Sequence, residues 1–469
     1  MKIFRNISAS LPGLLLILSF LACEDTSNVR PLQERFDPVT QSYAYPIENL
    51  PPVEFVEGVK ASDCGKCHVT IYQEWQATTH ASALRDIQFQ SELTKEDSPQ
   101  WLCLNCHIPV QNQREYFVIG LENGDVLKPV TKPNPMFDPD MQKEGITCAT
   151  CHVRLDKETG KSYVIGPKGS KNAPHPLKQD REFLHNLCQR CHNPQGEAIT
   201  PNLICWFETT KEVTEAAQEI IEKFGGPQDC VTCHMPETER LVADAYPQLP
   251  AKKTRQHHWA GSGVPKWYDG FDTLLDRGYH PGLKVSVAQP VFHQKDSLHL
   301  AITMKNERAG HYLPTGDPER FILAVVKLLD SSGAVIARDS YRIGQTWLWS
   351  PARKIADNRL KFGESVTWQP RLPLPQRGAM KGTLVVTIYH VRLSSKSAEH
   401  IMSARNVNER YLENGDELVR NADKYYPFAA VIYQEKIKLP GFQRIVLSPQ
   451  ELIELSKAER DKPLDEREY

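Results

Sequence analysis

The chain changes its pattern of hydrophobic and polar positions after about residue 280. From there on, apolar and polar residues alternate in "LHLAITMKN", and apolar runs flank the Ser-Ser-Gly turn of "RFILAVVKLLDSSGAVIARD". "GTLVVTIYHVRL" predicts one more strand. Strands separated by turns, with little helical periodicity, predict a β-sandwich-like domain over residues 286–445. The side chains expected to share one face of the first strand are those of Leu298, Leu300, Ile302 and Met304.

Residues 61–262 have a different pattern, in which short helical stretches alternate with loops. The stretch after His68, "VTIYQEWQATTHA", contains no Gly or Pro and predicts a helix. "YFVIGLENGDVLKPV" has an Asn-Gly turn between apolar runs and predicts a hairpin. The expected fold class is therefore a multidomain α+β protein, with a mostly helix-and-loop domain, a connection over 263–285 and the β-rich domain.

The last segment, 446–469, begins with the signals of a helix N-terminus. Ser448 and Glu451 have the spacing of a capping box, and Pro449 stands at the first helical position. A short C-terminal helix and a tail are expected there.

The first residues carry an export signal. Two positive charges precede the apolar run "LPGLLLILSFLA", which is too short to span a membrane, and Cys23 follows it. "FLAC" resembles the lipobox of bacterial lipoproteins, which implies a signal peptide over 1–22 and lipid attachment to Cys23. A plain secretory signal with a chance cysteine is the alternative. Residues 23–60 are rich in Pro, Glu and Asn and are expected to form a tether between lipid and domain.

Ten of the twelve cysteines fall into five copies of Cys-x-x-Cys-His. In this pattern two thiols form thioethers with a c-type haem, and the adjacent histidine is the proximal iron ligand. Five covalently bound haem c groups are the predicted cofactors, and they are expected to form much of the core of 61–262. The cysteines are Cys64, Cys67, Cys103, Cys106, Cys148, Cys151, Cys188, Cys191, Cys230 and Cys233. The proximal histidines are His68, His107, His152, His192 and His234.

Zinc ribbons and a disulfide framework are the alternatives for paired cysteines. Neither requires a histidine after every second cysteine. Export also agrees with haem, because c-type maturation takes place outside the cytoplasm. The net charge of −2 and the lack of a long basic run argue against a nucleic-acid partner.

The distal ligands decide what the haems do, because a haem that only carries electrons has both axial positions filled. His80 lies 12 residues beyond His68, which is about 18 Å along a helix, so it has to serve another haem. His185 lies seven residues before His192, about 10 Å along a helix, so it too is expected to serve a different haem.

Three further positions complete the set of distal candidates. His175 stands between two prolines in a stiff loop. In "RQHHWAGSG", His257 is the preferred ligand and His258 the alternative, with Trp259 expected against a porphyrin. His311 lies in the Gly- and Pro-rich turn "AGHYLPTGDPERF" of the β domain and is expected to supply the fifth ligand.

The same turn carries charged residues that would lie near the haem served by His311. Asp317 and Arg320 follow it within nine residues, and Arg320 is expected to approach a haem propionate.

These motifs resemble those of multihaem c-type cytochromes related to the tetrahaem nitrifier cytochromes, hydroxylamine oxidoreductase and pentahaem nitrite reductase. The matching stretches, within about 61–262, are "CGKCH…EWQATTH", "EGITCATCH", "PH" before "HNLCQRCH", "DCVTCHMP" and "HHWAG". The resemblance implies that a histidine placed like His80 serves a neighbouring haem. "AGHYLPTGDPERF" is similar to a segment of the β-rich C-terminal domain of some multihaem cytochromes.

The sequence departs from both enzymes at the positions that matter for chemistry. Pentahaem nitrite reductase has a lysine in place of the proximal histidine at its active haem, and this chain contains no Cys-x-x-Cys-Lys. Hydroxylamine oxidoreductase carries more than five haems. The resemblance therefore implies an architecture and carries over neither active site.

Three functions remain open from the sequence. The preferred one is an electron carrier, lipid-anchored on the periplasmic face or cell surface of a bacterial outer membrane and active in anaerobic respiration. Its partners would be other cytochromes, quinol-linked donors, or periplasmic or extracellular acceptors. The second is an oxidoreductase that acts on a small nitrogen or sulfur oxyanion at one five-coordinate haem. The third is a haem-bearing subunit of a larger complex or filament, docked through the β domain.

Overall fold

The computed structural model describes residues 28–194, 200, 208–293, 296–374 and 381–469. The predicted signal peptide and Cys23 lie outside these residues. Within them, none of the helices is long and apolar enough to cross a membrane.

The α-helices, in chain order, are α1 (Ala61–Gly65), α2 (Val69–Gln76), α3 (Ile87–Leu93), α4 (Gln100–His107), α5 (Pro139–Gln142), α6 (Cys148–His152), α7 (Arg181–Asn186), α8 (Gln189–His192), α9 (Thr209–Glu215), α10 (Ala217–Phe224), α11 (Cys230–His234), α12 (Ser395–Met402), α13 (Gly415–Arg420), α14 (Ala422–Tyr425) and α15 (Pro449–Ala458).

The strands concentrate in the C-terminal part of the chain. In chain order they are β1 (Val29–Arg30), β2 (Tyr116–Glu122), β3 (Pro129–Pro133), β4 (Val153–Asp156), β5 (Lys161–Gly166), β6 (Leu177–Gln179), β7 (Glu237–Arg240), β8 (Lys252–Arg255), β9 (Leu283–Val287), β10 (Val291–His293), β11 (Ser297–His299), β12 (Ile302–Asn306), β13 (Phe321–Asp330), β14 (Val335–Trp349), β15 (Ala352–Asp357), β16 (Ser365–Trp368), β17 (Arg371–Pro373), β18 (Gly382–Val391), β19 (Ala429–Leu439) and β20 (Gln443–Val446).

The C-terminal region is built on a six-stranded antiparallel sheet in the order β15-β14-β13-β18-β19-β20. Successive side chains of β13 point to opposite faces of this sheet. Ile322 and Ala324 join the core shared with β9, β11 and β12, whereas Phe321 and Leu323 join the core on the other face. The multidomain α+β class predicted from the sequence is confirmed.

The two faces of the six-stranded sheet are covered differently. One face packs on the small sheets β16-β12-β9 and β10-β11-β17, which is the predicted sandwich. The other face packs on α12, α13 and α14 through buried residues such as Ile401, Val419 and Ala422. These helices were not predicted from the sequence, because they are short and lie between two strong strand patterns.

The segment expected to be a tether is folded over its described part, from residue 28 to residue 60. Phe36, Leu50 and Val53 are buried, and β1 pairs with β2. The prediction of a tether is therefore wrong for these residues. Its proline-rich composition suits extended chain that packs against a domain without forming long elements.

Three local predictions can be compared directly with the structure. The hairpin is present as β2 and β3, with Asn123 and Gly124 at positive φ in its turn. The terminal helix α15 begins at Pro449, with the capping box between Ser448 and Glu451. The helix after His68 is α2, which ends at Gln76 and so stops one turn before His80.

Candidate haem sites

Every Cys-x-x-Cys-His motif lies on or at the end of a short helix. α4, α6, α8 and α11 end at the motif histidine, and α1 ends within the first motif. Helical spacing places the two cysteines of a motif on one face, with the histidine beside them. In the fifth motif, the Asp229 carboxylate accepts a 2.7 Å hydrogen bond from the Thr232 N–H and fixes the start of the helix.

Four of the five motif histidines are oriented by a backbone carbonyl. In each of them the Nδ1–H donates to a carbonyl oxygen, which leaves Nε2 free to bind a metal. The hydrogen bonds run from His68 to Val242 (2.6 Å), from His107 to Ala83 (2.7 Å), from His152 to Ile165 (2.8 Å) and from His234 to Ala260 (2.9 Å). This tautomer is the one that a proximal iron ligand requires.

Three predicted distal histidines face motif histidines at nearly the same distance. A metal–nitrogen bond of about 2.0 Å on each side of an iron would put two trans imidazole centroids roughly 6.3 Å apart. The observed centroid separations are 6.1 Å for His80 and His192, 6.2 Å for His152 and His257, and 6.3 Å for His234 and His311. Each pair therefore has the spacing that holds one iron between its rings.

Burial holds four histidines of these pairs in the neutral form that binds a metal. Burial lowers the pKa of His80 and of His257 to about 3, and that of His192 to about 4. Burial also lowers the pKa of His311. None of these four rings carries a proton charge at neutral pH.

Glu74 on α2 explains why two adjacent histidines point in different directions. Its carboxylate accepts a 2.8 Å hydrogen bond from the backbone N–H of His257 and forms an ion pair with Arg240. His258 Nε2 lies 3.7 Å from the same carboxylate, whereas the His257 ring faces His152. Trp259 packs edge-on against His257, with centroids 5.3 Å apart.

The turn that carries His311 is fixed by Glu212 of α9. Glu212 Oε2 accepts hydrogen bonds from the Tyr312 N–H (3.1 Å) and the Thr315 hydroxyl (2.6 Å). His311 Nδ1 is 2.9 Å from the carbonyl of Tyr312, so its Nε2 is the free nitrogen. A residue of the helix-and-loop domain thus sets the position of a histidine from the β domain.

The two remaining distal candidates have different surroundings. His175 is half-buried, interacts electrostatically with His68, and has a buried Nδ1 without a hydrogen-bond partner among the described residues. His185 Nδ1–H donates a hydrogen bond to the Asp229 carboxylate, and its Nε2 accepts one of 3.4 Å from Arg181 Nε. The structure therefore brings His175 toward the first motif and places His185 beside the start of the fifth.

His107, of the second motif, faces no histidine at the separation seen in the three pairs, among the ring contacts of the described residues. The Phe89 ring stacks on its imidazole instead, with centroids 3.4 Å apart and planes within 4°. The charged groups that act on it are Asp86 and Lys266. Its surroundings thus differ from those of His152, His192 and His234, each of which faces a histidine.

One large cavity joins most of these groups. Its volume is about 2040 Å³, and it is lined by the first, third, fourth and fifth motifs together with His80, His175, His257 and His311. Its walls supply the apolar contacts, paired thiols and free imidazole nitrogens that covalently bound haem needs. The residues present therefore fit haem c.

Thiols of different motifs lie next to one another. Each contact joins cysteines from two motifs, within hydrogen-bonding distance: Cys64 with Cys148, Cys106 with Cys191, and Cys188 with Cys230. Cys151 also interacts electrostatically with Cys191, which links the third motif to the fourth. All five motifs consequently form one connected set.

Comparison with known proteins agrees with this arrangement. A family described as "Cytochrome c554 and c-prime" matches residues 63–153, which contain the first three motifs. A penta-heme cytochrome c552 from Thermochromatium tepidum has a similar structure, with a TM-score of 0.52 and 16% identity over 81% of this chain and 99% of that one. No curated protein matches the chain.

A second solved structure, a beta-glucuronidase from glycoside hydrolase family 2, covers 23% of this chain and 9% of its own at 14% identity. Its TM-score of 0.14 carries no structural argument.

The family match over residues 63–153 and the five Cys-x-x-Cys-His motifs support a c-type cytochrome that binds several haems covalently. At 16% identity, the likeness to the penta-heme cytochrome concerns the fold.

Proposed function

We propose that the protein is a lipid-anchored electron carrier with five haem c groups. The observation that supports this most is the set of three imidazole pairs at 6.1, 6.2 and 6.3 Å. Two trans imidazoles saturate an iron and leave it no site for substrate, which is the state of a haem that only transfers electrons. Bis-histidine ligation also gives lower potentials than His/Met ligation and suits anaerobic respiration.

The proposed ligand assignment follows from the pairs. His257 serves the third motif, His80 the fourth and His311 the fifth. His175 is assigned to the first motif, because His68 is the motif histidine with which it interacts. His80 then serves a haem 108 residues beyond it in the chain, which agrees with the helix argument that excluded its own motif.

The electron path is proposed to follow the contacts between motifs. The first motif touches the third, the third lies beside the fourth, and the fourth touches both the second and the fifth. An electron entering at the first haem would reach the fourth by short steps. From the fourth haem the path branches to the second and to the fifth. Haem c groups at these sites would supply one-electron carriers.

The mouth of the cavity beside His175 is proposed as the docking surface for a redox partner. Three exposed lysines line this part of the cavity, Lys168 on a loop and Lys252 and Lys253 on β8. Lys168 Nζ lies 3.4 Å from the carbonyl of Lys253, so the loop and the strand meet there. Since the chain as a whole carries a net charge of −2, these lysines are a local basic area that suits a partner with an acidic surface.

A second function is favoured by the surroundings of His107. With Phe89 on its ring and no facing histidine among the described contacts, the second haem is the candidate for an open iron. We propose it as the site of the alternative activity, reduction or oxidation of a small nitrogen or sulfur oxyanion. Docking of the β domain into a larger complex is a third proposal, and it would add to electron transfer without replacing it.

Electron paramagnetic resonance and Mössbauer spectroscopy of the oxidised, fully haem-loaded protein test the proposal. We expect at least four low-spin irons and five haems per chain. A majority of high-spin haem would contradict the electron-carrier function. Turnover of nitrite or hydroxylamine with an artificial donor, lost in a Cys103→Ala/Cys106→Ala variant, would favour the second function.

A further inference from the structure

Four polar side chains from the β domain and its connection line one end of the haem cavity. Arg320 follows the His311 turn, His390 and Arg392 lie at the end of β18, and Lys266 lies in the connection. Arg392 and His390 are 4% and 7% exposed, so they are removed from bulk water. A cluster with three cations in such a place requires compensating negative charge.

The positive charge of Lys266 is compensated within the protein. It forms an ion pair with the buried Asp86. The Tyr426 hydroxyl donates to the same carboxylate at 3.2 Å. Asp86 is thus fully engaged by these two groups and by the N–H of Phe89 at the start of α3.

Arg392 forms hydrogen bonds with neutral groups only. It donates hydrogen bonds to the carbonyl oxygens of Val264 and of Pro427, the latter at 3.2 Å. Its guanidinium carbon lies 4.6 Å from the centroid of the Tyr426 ring. Its Nε is buried without a partner among the described residues.

Arg320 has the least compensation of the three cations. Its Nε is buried without a partner, and its side chain makes no hydrogen bond or ion pair with any described residue. Asp317 and Asp86 act on it from beyond ion-pair distance, while Arg392 repels it. His390 Nε2 is also buried and unpartnered. Two guanidinium N–H groups at one end of the cavity, those of Arg320 Nε and Arg392 Nε, therefore await an acceptor.

We propose that Arg320 and Arg392 bind the carboxylates of the haem at the fourth motif, so that the β domain supplies the counter-charge of a haem in the other domain. Arg320 is close enough to His192, the histidine of that motif, to act on it electrostatically, whereas its place in the turn had predicted the haem served by His311. Two arginines match the two propionate charges of one haem, and the planar guanidinium suits a carboxylate. The inference rests on the haem loading proposed above.

Removing a cation beside a haem favours the oxidised iron, which carries the extra positive charge. For Arg320→Met we expect about a tenfold change in the equilibrium constant of that haem, or about 59 mV toward lower potential for a one-electron couple. Arg320→Lys retains the charge and should recover most of the potential. Arg371, exposed on β17 and away from the cavity, provides the matched control in Arg371→Met.

Potentiometric titration followed by absorbance and paramagnetic resonance, on full-length protein with its haem content measured, tests the proposal. A lowered potential for one haem in Arg320→Met, restored in Arg320→Lys and absent in Arg371→Met, supports it. Unchanged potentials in an Arg320→Met protein that carries all its haems would overturn it and leave the electron-carrier function intact. Loss of haem from wild type would instead count against the proposed function.

The alternative occupant of the same site is a small free oxyanion. Nitrite and sulfite are the probes, added to wild type and to Arg320→Met. Saturable changes in the haem spectrum of wild type alone, with no difference in potential between the anion-free proteins, would assign the arginines to the free anion and reject the propionate proposal.

Discussion

Glu212 and Arg359 form an ion pair of 2.7 Å in which both side chains are buried, at 5% and 8% exposed. The pair joins α9 to the segment after β15. Because the other oxygen of Glu212 holds the turn of His311, one carboxylate fixes both the contact between the two regions and the position of a proposed iron ligand.

Glu212→Gln should therefore affect stability and the haem together. Arg359 keeps its ion pair with Asp357, so removing the Glu212 charge costs about 1.5–3 kcal/mol, the value of a hydrogen bond to a charged group, and the turn loses its strongest acceptor. We expect a lower unfolding free energy in denaturant and some high-spin signal from the fifth haem. Glu208→Gln, at an exposed position on the same segment, should leave both measurements at wild-type values.

The adjacent histidines 257 and 258 offer a matched pair for testing ligation. His257→Ala should convert one haem from low spin to high spin, because its ring faces His152 at 6.2 Å. His258→Ala should leave the spin states unchanged, since His258 is directed to Glu74. Paramagnetic resonance of the oxidised proteins separates the two variants, and a high-spin signal from His258→Ala alone would reverse the assignment.

Glu319 should make stability depend on pH. Burial, with help from Asp317 and Glu92, raises its pKa from 4.5 to about 7. The folded state therefore binds more protons than the unfolded state between about pH 4.5 and 7, and stability falls as the pH rises through that window. Glu319→Gln removes this loss and should be more stable than wild type by about 1–2 kcal/mol at pH 8, with a smaller difference at pH 5.

Denaturant titrations of wild type and Glu319→Gln at the two pH values measure this effect. Glu399→Gln, on the exposed side of α12, is the control and should not change the pH dependence. An equal gain in stability at pH 5 and pH 8 would show that Glu319 does not titrate as described.

The basic mouth of the cavity predicts how electron exchange responds to charge. Lys168→Glu combined with Lys252→Glu should slow electron transfer with an acidic partner and weaken its dependence on ionic strength, because steering acts mainly on the association rate. Stopped-flow kinetics at low and moderate salt measure this. The same change at Lys305 and Lys361, on the β region, should have little effect.

The sequence was sufficient for the chemistry that local patterns encode. The five motifs, the hairpin at Asn123 and the capping box at Ser448 each depend on residues within a few positions of one another, and local spacing determines them. His80 could be excluded from its own motif by helix geometry alone. Which haem it serves is a matter of tertiary packing, and only the structure brings its ring to His192.

What the sequence did not indicate depends on contacts between distant segments. Nothing local marks Glu74 or Glu212 as the groups that orient His257 and His311, because each acts across more than 90 residues. The folding of residues 28–60 was missed for a related reason. Their apolar side chains have no periodicity and find their places only on the surface of the domain.

If Cys23 carries the proposed lipid, the folded N-terminal segment limits how the protein can stand on a bilayer. Only four residues lie between Cys23 and Asn28, the first position of the described fold, and the five steps from one to the other extend at most about 18 Å. The molecule would then be held close to the membrane with a narrow range of tilt, and would sample only a small volume around its anchor. Its electron donors and acceptors would have to diffuse to it and bind on the side that faces away from the lipid.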